Sequence, residues 1–263
     1  HHFHGTESSN SIDSWIWARL QAVVREVERL FQAHQYGEAG RQVYEFFWSD
    51  YADWYVDAAK LQAAAGGPRA RQTAATLARV LDICLRLLHP FTPFVTEELW
   101  GHLRRALLGS PLAELAQGWG EALIAASFPE PRPAEAWEAA ALEDFSLLQE
   151  TIRAIRNLRA EKKVPPARRI PAMLVGGGRT ELLEAQAALI AALAGLDREQ
   201  VNIQAAGEKP ADAVTLVVGP VEVHIPLSGM VDLDAERLRQ EKELAGVAAQ
   251  VARLEKLLGS DFA

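Results

Sequence analysis

The chain has 263 residues, 49% hydrophobic and 24% charged, enough for one large or two ordinary domains with a buried core. Its single cysteine, Cys84, excludes an internal disulfide and a multi-cysteine zinc site. No apolar run reaches the roughly 18 residues of a spanning helix and no signal peptide is evident, so the expectation is a cytoplasmic protein; its net charge of −8 argues against a general nucleic-acid glue.

Residues His1–Asn10 are polar and patternless. Three histidines in four positions suggest chelation, but no acidic or cysteine partner follows nearby, so a frayed terminus or expression remnant is the better reading. Asp13 or Ser14 can cap a first helix through Trp15, Leu20, Val23, Val27 and Leu30 to about His34. A second helix is expected over Glu38–Ala65. It carries Tyr44, Phe46, Phe47, Trp48, Tyr51, Trp54 and Tyr55 before Gly66-Gly67-Pro68 breaks it. Helical spacing places Trp48, Trp54 and Tyr55 in a core rather than on a stacking platform, and Asp53 reads as a surface carboxylate. Helices over Arg69–Leu88 and Thr96–Leu108 flank the HPFTPF turn, and Cys84 falls on the third as a buried thiol. Four long helices with short connections make a bundle. Gly109–Pro133 is Gly-, Pro- and Ala-rich and reads as a wrapping loop, after which Ala134–Lys163 returns to helix.

The end of that helix opens a distinct stretch, Ser146–Pro171. Leu148, Ile152 and Ile155 make an apolar stripe flanked by Leu147, Thr151, Ala154 and Leu158. Arg153, Arg156, Arg159 and Lys163 stand beside it at spacings of three or four residues. Pro165 and Pro166 stop the helix by forcing Val164 away from αR. From Ser146 to Ala172 seven Lys/Arg stand against two Glu, a local +5 that leaves −13 for the rest of the chain. Such a segment either meets an anionic partner or is a solvated face paired with nearby carboxylates.

Beyond Pro166, Ile170–Val175, Gln200–Gln204, Val214–Val218 and Val221–Pro226 read as short strands, with a helix over Thr180–Leu193. Gly176-Gly177-Gly178 lacks the Lys-Ser/Thr and the G-x-G-x-x-G spacing of a phosphate cradle, and reads as a turn. A last helix, Leu233–Leu258, spaces Leu244, Val247, Val251, Leu254 and Leu258 at 3, 4, 3, 4. This is a coiled-coil seam too short to stand alone, which ends at GSDFA as if at the tip of a hairpin. The expected fold class is therefore mainly α: a helical bundle over 11–145, a basic helix and small α/β unit over 146–230, and a terminal coiled-coil helix over 231–263.

Five stretches together resemble one family. WIWARL (Trp15–Leu20), YEFFWSDYADWY (Tyr44–Tyr55), LLHPFTPFVTEELW (Leu87–Trp100), the basic stretch, and PLSGMVDLDAERLRQEKEL (Pro226–Leu244) are similar to the C-terminal part of the class I aminoacyl-tRNA synthetases. IRAIRNLRAEKKVPP with the DLDAER helix resembles the valyl branch in particular. The resemblance implies an anticodon-binding bundle and half of a coiled-coil arm, with tRNA(Val) as partner. The HIGH and KMSKS signatures occur nowhere in the sequence, so the resemblance implies that ATP and Mg serve a catalytic domain outside it, and that this chain alone is inactive. It also marks candidate tRNA contacts: Arg153, Arg156, Arg159, Lys162, Lys163, Arg168 and Arg169, then Arg19 on the first helix, and on the arm Arg237, Arg239 and Lys242. No catalytic or metal-ligating constellation is evident. Glu97 and Glu98 point to different sides of a helix, and His89, His102 and His224 lack a nucleophile at suitable spacing. The competing reading is a free-standing interaction module that self-associates through its seam.

Overall fold

The computed structural model describes residues 12–226, 244–247 and 250–251. It divides into two compact units, 1–147 and 148–263. The first unit is helical: α1 (Ile12–Gln32), α2 (Tyr36–Glu45), a π-helical segment (Phe46–Tyr55), α3 (Val56–Ala64), α4 (Gly67–Leu88), α5 (Pro93–Leu108) and the start of α6 (Ala136–Glu161). Between α5 and α6 the expected loop contains two 3₁₀ turns, Ala113–Ala116 and Leu123–Ala125.

α1 buries Trp15, Ile16, Leu20, Val23, Val24, Val27 and Leu30. Trp15 stacks on Phe145 with ring centroids 3.8 Å apart, and Trp54 meets the same phenylalanine edge-on at 6.2 Å. Asp13, expected as a cap, lies inside the first turn of α1 and is buried. Its carboxylate accepts from Tyr55 Oη at 2.6 Å and Thr73 Oγ1 at 3.2 Å, tying α1 to the π segment and to α4. Burial raises its pKa, against the pull of those two hydrogen bonds. Cys84 is buried as expected, and burial likewise raises its thiol pKa.

The helix expected over Glu38–Ala65 is one run whose middle ten residues are π-helical. The Val56 N–H bonds to Tyr51 O, five residues back. That wider turn shifts the buried stripe to Phe46, Tyr51 and Tyr55, with Trp54 beside it. Trp48 is consequently 50% exposed, and Tyr44, on α2 just before the segment, is 59% exposed. The expectation that Trp48 is core is overturned, because α-helical spacing does not apply across a π segment; Trp54 and Tyr55 are core.

The second unit takes the rest of α6 into a four-stranded sheet of order β2-β1-β4-β3. Its strands are β1 (Ile170–Val175), β2 (Leu196–Gln204), β3 (Ala213–Val218) and β4 (Val221–Pro226). β1 runs parallel to β2 and antiparallel to β4, which pairs antiparallel with β3 through the turn at Gly219-Pro220. The helix expected over Thr180–Leu193 is two, α7 (Thr180–Ala185) and α8 (Ala187–Ala194), parted at Gln186. The triple glycine forms a 3₁₀ turn, and its Gly176 and Gly177 N–H groups bond to Gln204 O and Ala205 O. A Cβ on Gly176 would lie 2.9 Å from Leu183 Cδ1, so close packing accounts for that glycine. Of the seam residues, Leu244, Val247 and Val251 lie in helix and are 74%, 60% and 48% exposed.

Candidate nucleic-acid interface

Within the second unit, Leu148, Ile152, Ile155 and Leu158 of α6 are buried, and Arg153 and Arg156 are exposed beside them. The helix stops before its prolines. Lys163 N–H bonds to Ala160 O and Val164 N–H to Arg159 O, with Lys163 at φ 53°. This is a Schellman ending with a lysine in the left-handed position usually held by glycine. Val164, directly after it, is buried. Lys162 lies 3.3 Å from Glu161, both well exposed, an arrangement worth little to stability.

Three of the expected contacts converge on one place. Arg156 Nε donates to Leu193 O at 2.7 Å, Arg169 Nη1 to Ala192 O at 3.3 Å, and Arg159 Nη1 to Gly195 O at 2.7 Å. These carbonyls end α8 or follow it, where the helix presents unsatisfied acceptors and the negative pole of its dipole. Gly195 ends α8 in the left-handed conformation, and a Cβ there would stand 2.9 Å from Arg159 Cζ. Arg159 Nη2 also donates to Arg168 O at 2.9 Å and Pro165 O at 3.2 Å. Burial, and secondarily the charge of Arg169, lower its pKa.

Arg159 is 7% exposed, which corrects its place among the surface candidates: it is an interior strut that fixes the loop after α6. Arg169 remains exposed and Arg168 half-buried. The carbonyl partners of Arg159 and Arg169 take up donors without bringing an opposing full charge.

The other candidates lie elsewhere. Arg19 sends Nε and Nη2 to Asp50 Oδ2 at 2.9 and 2.7 Å, joining α1 to the π segment. Arg237, Arg239 and Lys242 lie outside the described residues. Glu97 accepts the N–H groups of Leu123 and Ile124 at 2.6 and 3.2 Å, and Glu98 pairs with His102 at 2.9 Å, so both have local structural partners. Among the described residues no group of three His, Cys, Asp or Glu stands ready to hold a metal, and no helix is long and apolar enough to cross a membrane. The residues missed by periodicity are Tyr44 and Trp48, an exposed ring pair with centroids 6.2 Å apart. The five-residue step from Phe46 to Tyr51 is the signal that separates Trp48 from the core.

The family described as the anticodon-binding domain of tRNA ligase matches residues 13–174, a span that includes the bundle and the basic stretch. A valine–tRNA ligase of Carboxydothermus hydrogenoformans is 38% identical over 253 residues, covering 94% of this chain and 26% of that protein. Those of Geobacillus stearothermophilus and Thermotoga maritima are 36% and 33% identical, covering 95% and 97% of this chain and 27% of each relative. The chain thus spans about a quarter of the length of the curated relatives it matches.

Proposed function

The chain belongs to the anticodon-binding domain family of the tRNA ligases, and we propose that it binds the anticodon region of tRNA(Val) within a valine–tRNA ligase. The observation that carries this reading is the basic stretch inside the matched span, where Arg169 stands exposed with a carbonyl, not a carboxylate, as its hydrogen-bond partner. An anticodon is a single-stranded loop, recognised by neutralising phosphates and by stacking and hydrogen-bonding splayed bases. Arg153, Lys162, Lys163 and Arg169 stand exposed along that stretch to meet phosphates. Valine anticodons share their second and third bases, A and C, so those bases carry the selection.

In this role the chain is a binding module. Its interaction energy positions the distant acceptor end of the tRNA at a catalytic site outside this sequence, where ATP and Mg supply the activation chemistry. The test is filter binding of valine and non-valine tRNA transcripts at two salt concentrations. Binding that weakens steeply with salt and depends on the anticodon supports the reading; no RNA affinity at low salt overturns it. A second reading, self-association, is favoured by the exposed Leu244, Val247 and Val251 at seam spacing. Salt-independent dimerisation without RNA affinity is its signature.

A further inference from the structure

The two edges of the sheet in the second unit are built differently. β2, at one edge, carries Asp197, Arg198, Glu199 and Gln200 in succession, and its register against β1 shifts between the pairs Ile170–Leu196 and Ala172–Val201. Charge and an irregular register are devices that keep an edge strand from pairing with another chain. β3, at the other edge, has neither. Its sequence AVTLVV contains no charge and no proline, and its register against β4 is unbroken from Ala213–Pro226 to Val218–Val221.

Backbone alternation decides which groups that edge offers. Gly219-Pro220 is a two-residue turn, so Val218 and Val221 close it as a hydrogen-bonded pair. Pairs then alternate along an antiparallel ladder, which makes Val217–Glu222, Thr215–His224 and Ala213–Pro226 the non-hydrogen-bonded ones. Pro226, which has no N–H, falls on a pair that needs none, in keeping with this parity. The N–H and C=O groups of Ala213, Thr215 and Val217 therefore point away from β4, and among the described residues no strand takes them. The side chains agree. Val217 is 70% exposed. Val214 and Leu216 stand opposite the buried Ile225 and Val223 yet are only half-buried themselves, so the apolar layer stops short at this edge.

We propose that β3 pairs antiparallel with β3 of a second copy of this chain, joining the two sheets across a two-fold axis at Thr215. The strand fits itself. Its outward-facing groups belong to alternate residues, so a two-fold at Thr215 sets Thr215 against its copy and Ala213 against Val217, each as a hydrogen-bonded pair. Val214 of one protomer then lies opposite Leu216 of its partner, which completes the apolar layer that each leaves half-covered. An uncharged strand brings no like charges face to face across the axis. A pairing of six residues buries little area, so the dimer is weak and reversible, with a dissociation constant on the order of 10 µM. This surface is independent of the RNA reading and of the seam at Leu244, Val247 and Val251.

The test is sedimentation of the full chain over a concentration series that reaches well above that value, where the unmodified chain is expected to pass from monomer to dimer. Val217→Pro removes an outward N–H that no bond within the chain uses, at an edge position where proline is tolerated. It is expected to raise the dissociation constant roughly a hundred-fold, with the melting midpoint of the dilute chain nearly unchanged. A Leu244→Glu, Val247→Glu double variant, which spoils the seam, is expected to dimerise as the unmodified chain does. Oxidation reads the register. Thr215→Cys meets its own copy and is expected to form an interchain disulfide faster than Val217→Cys, which is the more exposed position but faces Ala213. A chain that stays monomeric throughout overturns the proposal, as does a dimer lost with the seam and kept in Val217→Pro, or equal cross-linking of the two cysteine variants. Capture of unrelated extended peptides by a chain that stays monomeric would assign the edge to a foreign strand and overturn it equally.

Discussion

The aromatic stretch 44–55 and the basic stretch 153–169 depart from composition in opposite directions. In the first, Trp48 lies half in solvent beside Tyr44, although Trp54 six residues on is 6% exposed. In the second, Arg159 is buried, although Arg156 one turn earlier is exposed. The causes differ. A π segment changes which aromatic residues share a face, whereas Arg159 is drawn inward by the Gly195 carbonyl after α8 and by two carbonyls of the loop that follows α6. Side-chain chemistry supplies a default location; backbone geometry and unsatisfied backbone groups decide the exceptions.

The largest effect expected from this contrast comes from the two tryptophans. Trp54→Ala should cost about 4 kcal/mol of stability by opening a cavity against Phe145, and Trp48→Ala less than about 1 kcal/mol, as a partly exposed ring allows. Denaturant midpoints of the two variants measure the difference, and equal losses would contradict the π-shifted core. Next, Arg159→Met should cost about 3 kcal/mol by orphaning carbonyls at Gly195, Pro165 and Arg168. Arg159→Lys should recover only part of that loss, since one ammonium cannot reproduce the fork. Hydrogen exchange in β1 and β2 reports whether the second unit loosens first.

Lys163 sharpens the comparison further, because its backbone and its charge pull in opposite senses. Lys163→Gly should stabilise the fold by about 1 kcal/mol by relieving the left-handed backbone. It should at the same time weaken tRNA binding and lower the salt slope by about one. Gain in both properties would remove Lys163 from the interface. The smallest effect is a pH dependence at Asp13. Burial raises its folded pKa above the ordinary 3.8, so the native state holds that proton to higher pH than the unfolded chain. Its contribution to stability therefore falls as pH rises from about 4 through the folded pKa. Relative to Asp13→Asn, the unmodified protein should gain in melting midpoint as pH is lowered from neutral towards about 4.

Much of the architecture is legible in periodicity. Leu148, Ile152 and Ile155 mark the buried face of α6, β4 has the bounds its Val and Ile pattern suggests, and the Gly219-Pro220 turn joins β3 to β4. The features that escape a linear reading are set by distant partners. Nothing near Arg159 in sequence indicates that Gly195, 36 positions away, will take its guanidinium. The end of α6 escapes for another reason: Lys163 completes a Schellman turn before Pro165 can act. At the candidate interface, the charge of the stretch and the family of the fold are legible. How each arginine divides its donors between backbone and solvent is not.

The central claim, that the charge of the basic stretch survives folding and meets RNA phosphates, is tested most directly by the salt dependence of tRNA(Val) binding to the unmodified chain and to a Lys162→Glu, Lys163→Glu double variant. The account predicts steep weakening with salt for the unmodified chain. For the variant it predicts a slope shallower by about two, with the melting midpoint nearly unchanged. Identical slopes for the two proteins, or binding indifferent to salt in both, would contradict it.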